Sequence, residues 1–280
     1  MSLRPIIRIS PTPSGYLHKG NCFNFILTAL YAQKYHFDIL LKIDDIDQER
    51  VRDTYLDHIF YALNELGIVW TLGPQTIAEH KAKYSQHLRM NHYLAYVEKL
   101  NILKHTFNCA CSRKDLIKRQ SNGIYDSHCL LKKIKKGKCR FNTDLLSRDF
   151  SKSTLNYFVV CNDDGVPSYQ ICSVVDDVFF NVDYAIRGND LFDSSYLQLE
   201  LLKKENKIIE YKHHKLLTKA DKIKLSKSQE DGQMELDKIQ IFNEFLEFFN
   251  VSSKKLNSVT QLYHYLEELN WDYAQFFSKK

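Results

Sequence analysis

Apolar positions along this chain fall into short continuous runs and longer stretches with helical spacing, and their order is informative. Residues 4–10 (RPIIRIS) read as a strand, and the PTPSGYLHKGN that follows, rich in Pro, Gly and Ser, reads as a loop. CFNFILTALYAQKY carries apolar residues at helical spacing without a breaker and predicts a helix. FDILLKID is almost wholly apolar and ends in acids, as a buried parallel strand does. Strand, glycine-containing loop, helix, strand is the opening of a doubly wound α/β domain. Helices are predicted over 52–66 and 76–103. From about 104 to 156 cysteines, a lysine run and short segments replace the periodic stretches, which reads as an insertion between two halves of a core. NYFVVCNDDGVPSYQICSVVDD then gives a strand, an Asp-Gly turn and a second apolar segment. Residues 194–206, 235–250 and 258–268 predict helices. The chain shows no internal repeat and no low-complexity tail.

Composition narrows the class. The 280 residues, 44% hydrophobic and 26% charged, suffice for one large or two smaller globular domains. No stretch approaches the roughly 20 apolar residues that span a bilayer. MSLRPIIRIS lacks an apolar signal region, so a cytoplasmic location is expected. Seven cysteines, an odd number without framework spacing, suit reduced thiols or metal ligands. Net charge is only +5, but from Lys104 to Arg140 eleven Lys/Arg stand against two Asp, a local +9. Such a block suits a phosphate backbone, and equally a solvated face.

Three clusters can carry chemistry. In Pro11-Thr12-Pro13-Ser14-Gly15-Tyr16-Leu17-His18-Lys19-Gly20-Asn21 the prolines stiffen the loop, and Gly15 and Gly20 admit close backbone approach. The next helix aims its N-terminus into that loop, which makes a phosphate cradle with a histidine beside it. Lys222-Ile223-Lys224-Leu225-Ser226-Lys227-Ser228 alternates lysines with small or apolar residues, suited to charge building up on a transferring phosphate. Taken alone, it is equally a solvated basic loop. Cys109-Ala110-Cys111 with Cys129 offers three thiolates for Zn2+, and a tetrahedral site needs a fourth ligand, for which Tyr125 and His128 are the candidates. Three ordinary reduced cysteines fit the spacing as well.

A His-x-Gly loop near the N-terminus paired with a Lys-Leu-Ser-Lys-Ser loop resembles the two hallmark motifs of class I aminoacyl-tRNA synthetases. Further segments resemble the glutamyl group of that class. Arg8-Ile9-Ser10-Pro11-Thr12-Pro13-Ser14-Gly15 is similar to its R-x-A-P-S-P-T/S-G, and Lys42-Ile43-Asp44-Asp45-Ile46-Asp47-Gln48-Glu49-Arg50 to its R-I-E-D-T-D-x-x-R. Pro167-Ser168-Tyr169, Val174-Val175-Asp176-Asp177 and Ile186-Arg187-Gly188 match its substrate segment. The likeness spans residues 4–228, in family order and spacing.

The resemblance implies a Rossmann-like catalytic core that joins glutamate to the α-phosphate of ATP, with Mg2+, and passes the acyl group to tRNA. His18 and Lys227 would be catalytic. Thr12, His18, Gly20, Asn21, Lys224, Ser226 and Lys227 would bind ATP. Arg8 and Arg187 would grip glutamate carboxylates, Asp44 its ammonium, and Tyr169 would donate a hydroxyl. The core would comprise 1–103 and 157–230, a zinc-containing, tRNA-contacting insertion 104–156, and a helical, stem-contact-like region 231–280.

The C-x-C…Y-x-x-x-C pattern and Arg187-Gly188-Asn189-Asp190-Leu191 resemble the glutamyl-queuosine tRNA(Asp) synthetases, in which Tyr is a zinc ligand. That implies one structural Zn2+ held by Cys109, Cys111, Tyr125 and Cys129, and queuosine in the anticodon loop of tRNA(Asp) as acceptor. With only about fifty residues after the lysine loop, anticodon-reading helical domains are not expected, and the chain is expected to act as a monomer. Lys132–Lys138 are candidates for phosphate contacts. The alternatives are a truncated glutamyl-tRNA synthetase charging the 3′ end of tRNA(Glu) and a catalytically silent tRNA- or amino-acid-binding paralogue. The pattern departs from the family at Asp44 (Glu), Lys42 (Arg) and Ser173 (Asn). Lys19 puts a charge in the His-x-Gly turn, and Asn21 is nearer the full-length glutamyl enzymes.

Overall fold

A computed structural model describes residues 4–120, 122–216 and 236–278. In chain order, β1 (Ile6–Ile9) leads through the Pro-rich loop into α1 (Lys19–Tyr35), then β2 (Asp38–Leu41) and α2 (Asp53–Glu65). A short turn of helix, α3 (Ile77–Glu79), continues as a π-helical segment His80–Tyr84 and a 3₁₀ turn Gln86–Arg89 before α4 (Met90–Ile102). β3 (Thr106–Cys109), α5 (Arg113–Arg119), β4 (Lys138–Phe141) and β5 (Val159–Cys161) follow, then α6 (Tyr169–Phe179), β6 (Tyr184–Gly188), α7 (Phe192–Lys203) and β7 (Glu210–His214). Helices α8 (Lys238–Phe248) and α9 (Val259–Glu268) and a 3₁₀ turn Tyr273–Phe276 close the order. The apolar segment after the Asp-Gly turn is therefore a helix, entered from Pro167 and Ser168, whose extended backbone caps it.

Two compact units result: Met1–Leu88 with Asn181–Phe192 and Ile209–Lys280, and Arg89–Phe180 with Asp193–Ile208. In the first, β2, β1, β6 and β7 form a wholly parallel sheet in that order. α1 is buried on nearly all sides, as its apolar sequence demands, because the sheet and the C-terminal helices cover it. Phe23 meets Phe245 and Phe248 of α8 edge-on, at ring separations of 5.3 and 6.0 Å. Asn24 reaches from α1 to the Ile186 carbonyl (3.0 Å) and to His214 Nε2 (3.2 Å), which ties the helix to β6 and β7.

The second unit holds the antiparallel sheet β3-β4-β5 beside α4 and α6. Asp176 of α6, fully buried, accepts from Arg89 Nε (2.8 Å) and the Tyr93 hydroxyl (2.7 Å), which locks α4 to α6. All seven cysteines are free thiols. Among the described residues, no helix is long and apolar enough to cross a membrane.

Candidate active site and thiol cluster

The strands of a parallel sheet deliver ligands to the crevice beyond their carboxyl ends, at the point where strand order reverses. Here that point lies between β1 and β6, which leave in opposite directions to β2 and β7. Arg8 in β1 and Arg187 in β6 are both buried. Arg8 Nη1 donates to Ser10 Oγ (2.9 Å), and the Arg187 guanidinium lies 4.3 Å above the Tyr211 ring. Beyond β2 the ladder continues as single bonds, from Lys42 N–H to Ile9 O and from Asp44 N–H to Pro11 O, both 2.9 Å. This carries Asp44 to the loop that follows Arg8. The Asp44 carboxylate is ion-paired with the Lys42 ammonium, both side chains buried, because a carboxylate at that depth needs a cation.

His18 is the N-cap of α1. Its Nδ1 accepts from the Gly20 N–H (3.1 Å), and Asn21 Oδ1 accepts in return from the His18 N–H (3.1 Å), a reciprocal capping box. An accepting Nδ1 puts the proton of the neutral ring on Nε2. Gly20 has a steric reason: a Cβ there would lie 2.9 Å from His18 Cε1 and 3.0 Å from Nδ1. Thr12 O accepts from the Ser14 N–H (2.9 Å) and closes the turn upstream. The charge of Lys19 is met by Glu244 of α8, with Nζ to Oε1 at 2.6 Å. Tyr169 opens α6 in the second unit. Lys224, Ser226 and Lys227 lie outside the described residues.

A buried network missed by sequence reasoning fixes the acidic strand end. Asp45 Oδ2 accepts from His80 Nε2 (3.0 Å) and Ser85 Oγ (2.7 Å), and its Oδ1 accepts from the Gln86 N–H (2.7 Å). Gln86 Oε1 in turn accepts from the Ile46 N–H (2.8 Å). Burial works against the Asp45 charge, yet the bonds from His80, the Gln86 amide and Ser85 outweigh it and hold the carboxyl below the ordinary carboxylate range. A lowered folded-state value means the stabilisation is complete above the unfolded carboxyl pKa, about 3.9, and is lost as pH falls through the folded value. His80→Leu is therefore expected to cost about 3 kcal/mol at pH 7 and distinctly less at an acid pH below the folded Asp45 value, where that carboxyl is neutral. Urea unfolding at the two pH values measures it; an equal cost at both would contradict the assignment.

In the second unit, Cys109 at the end of β3, Cys111 just before α5, and Cys129 bring three buried Sγ atoms within 4.8 Å of one another. Cys111 and Cys129 Sγ are 3.4 Å apart. The buried Tyr125 hydroxyl accepts from the Cys129 N–H (2.9 Å), and the Arg140 guanidinium lies 4.1 Å from the Tyr125 ring centre. Arg119 Nη2 donates to Cys111 Sγ (3.3 Å). Burial works against a Cys109 thiolate, but bonds from Tyr125, the Cys111 amide and Arg140 bring that thiol down to about 7. Burial pushes Cys111 up to about 11. His128 is exposed, its Nε2 2.6 Å from Lys132 Nζ. Gly137, at φ +144°, lies so close to the knuckle that a Cβ would meet the Cys109 carbonyl oxygen at 2.5 Å. Around the cluster Arg113, Lys114, Lys118, Lys132, Lys133, Lys135 and Lys136 are exposed, whereas Arg119 pairs with Asp126 and Lys138 with Asp163.

The model of the family described as tRNA synthetases class I (E and Q), catalytic domain, matches residues 6–244. The chain belongs to this family. Within it, the chain is similar to the glutamate–tRNA ligase of Clostridium botulinum, with 29% identity over 265 residues that cover 81% of this chain and 53% of that protein. The glutamate–tRNA ligase of Buchnera aphidicola subsp. Cinara cedri is 30% identical over 247 residues, covering 79% and 50%. A crystal structure of a glutamate tRNA ligase from Elizabethkingia meningosepticum, in complex with its amino acid, superposes with a TM-score of 0.65 at 21% identity, over 83% of this chain and 52% of that one, and shares the fold. The chain spans about half the length of the curated relatives it matches. As a class I synthetase domain of the glutamate and glutamine group, it carries the parallel-sheet α/β core of that class.

Proposed function

We propose that this chain activates glutamate with ATP and transfers the glutamyl group to queuosine in the anticodon loop of tRNA(Asp). Activation is supported by the loop at the sheet's switch point. His18, pinned at Nδ1 by its own helix, would present Nε2–H to a phosphate oxygen at the positive end of the α1 dipole. Arg8 and Arg187 would meet carboxylates of glutamate. Asp44, already carrying the Lys42 ammonium, would take the substrate ammonium as a second cation. Tyr169 would donate its hydroxyl to the substrate, and Lys224, Ser226 and Lys227 would bind the phosphates of ATP. Mg2+ bound with ATP would supply charge neutralisation to the phosphates. The protein's contribution is alignment and charge neutralisation, which suffice for adenylate transfer.

The choice of acceptor rests on one observation, the Tyr125 hydroxyl built against three clustered thiols while His128 faces solvent. That donor set fits one tetrahedral Zn2+ held by Cys109, Cys111, Cys129 and Tyr125, the pattern of the glutamyl-queuosine branch. Zinc would cross-link the knuckle, and Arg140 over the Tyr125 ring suits a phenolate ligand. The surrounding lysines would contact the phosphates of a tRNA arm.

Incubation with ATP, labelled glutamate and purified tRNA(Asp) with or without queuosine tests the proposal. Label is expected only on queuosine-containing tRNA. Label on the 3′ end of tRNA(Glu) would replace the acceptor and favour a charging enzyme. No label on any tRNA would overturn the activity and favour a silent paralogue.

A further inference from the structure

Between β1 and α1 the chain runs from Ser10 to His18 without regular secondary structure, yet it must hold an imidazole in a defined place. The capping box fixes His18 relative to α1 but not the backbone that enters it. That backbone has an anchor. The buried Leu17 N–H donates to Nδ1 of His58 in α2, at 3.1 Å. His58 is only 1% exposed. Its ring meets the Tyr16 ring edge-on, at 5.3 Å and 87°, and Tyr16 in turn meets Tyr55 edge-on, at 5.0 Å and 81°. Tyr61, one turn further along α2, stacks against the His58 ring at 6.0 Å and 23°. The histidine is thus held by its own helix while it holds the residue immediately before His18.

We propose that His58 is a positioning residue of the activation site. It supplies the acceptor for the Leu17 amide and so sets the path of Tyr16–Leu17 and the aim of the His18 imidazole. The proposal rests on the reading of the His18 loop as the ATP site. A buried N–H must find an acceptor, so without Nδ1 the Tyr16–Leu17 peptide turns to seek another partner. His18 is one residue away, and its Nδ1 bond to Gly20 moves with the turn. Accepting at Nδ1 also requires the neutral His58 tautomer that carries its proton on Nε2.

The test is glutamate-dependent ATP–pyrophosphate exchange, with tRNA present, by the full chain and its His58 variants. His58→Leu keeps bulk and removes the acceptor. It is expected to raise KM for ATP and so lower kcat/KM for ATP by roughly 10- to 100-fold, while KM for glutamate changes less than about twofold. His58→Asn places an acceptor at nearly the same distance along the side chain and is expected to recover to within about fivefold of the wild type. A purely structural role would lower the active fraction and leave KM for ATP unmoved in both. Unmoved KM in His58→Leu, or a His58→Asn no better than His58→Leu, would overturn the proposal. Should His58→Leu not fold, His58→Asn and His58→Gln carry the test: Gln sets its acceptor one bond further out, so KM for ATP rises in Gln alone, and equal values overturn the assignment. Exchange absent from the wild type itself would instead strike the ATP-site reading.

Discussion

Gly20→Ala is expected to lower glutamate-dependent pyrophosphate exchange by about 100-fold while leaving the melting temperature within a few degrees. The added methyl would lie 2.9 Å from the His18 ring, closer than a carbon contact allows. The obstacle is a side chain rather than backbone, so the helix stays and the imidazole moves. Stability changes little because two small terms oppose each other. Alanine gains about 0.5–1 kcal/mol over glycine within a helix. Losing the His18 cap costs about 1 kcal/mol. Activity has no such compensation, since a donor displaced by about 1 Å forfeits most of its effect on developing charge. Exchange kinetics and thermal unfolding on one preparation separate the two; a Gly20→Ala protein with wild-type exchange would show that the His18 ring need not sit where its cap holds it.

Cys129→Ser is expected to reduce bound zinc from about one equivalent per chain to a small fraction, and to destabilise the second unit by at least about 3 kcal/mol. Three buried thiols within 4.8 Å gain little by facing one another, but a shared cation would turn their proximity into a cross-link between β3, the start of α5 and the 125–129 segment. The residues around the thiols would suit such an ion. Arg119 donates to Cys111, Arg140 covers Tyr125, and Gly137 gives the knuckle backbone room that no side chain would leave. Metal analysis of protein purified without added zinc, with urea unfolding in the presence and absence of a chelator, measures both effects. A metal-free protein of unchanged stability would remove the zinc assignment.

Much of this was legible in the residues, for identifiable reasons. The β1–loop–α1–β2 opening shows because continuous apolar runs and helical spacing alternate there with one Pro- and Gly-rich break. The thiol cluster shows because Cys-x-Cys leaves two sulfurs on one turn of chain. The predicted single helix over 76–103 failed at Ser85. Asp45, forty residues earlier, takes the Ser85 hydroxyl, the His80 ring and the Gln86 amide, and draws that stretch into a π turn and an extended residue. Local propensity carries no trace of such a tertiary acceptor. The Lys42–Asp44 pair was equally hidden, since Asp44 reads as a contact for the substrate ammonium and Lys42 as a replaced Arg until their burial and pairing are known. His58 looked like one more residue of α2, and only the loop packed against it gives it a task.

A histidine-bearing loop at the switch point of a parallel sheet is proposed to activate glutamate with ATP. Exchange of labelled pyrophosphate into ATP by the wild-type chain, with tRNA present and each amino acid supplied in turn, addresses it most directly. Exchange with glutamate and not with aspartate or glutamine is the predicted result. A folded protein that exchanges with none of them, or equally with all, would contradict it.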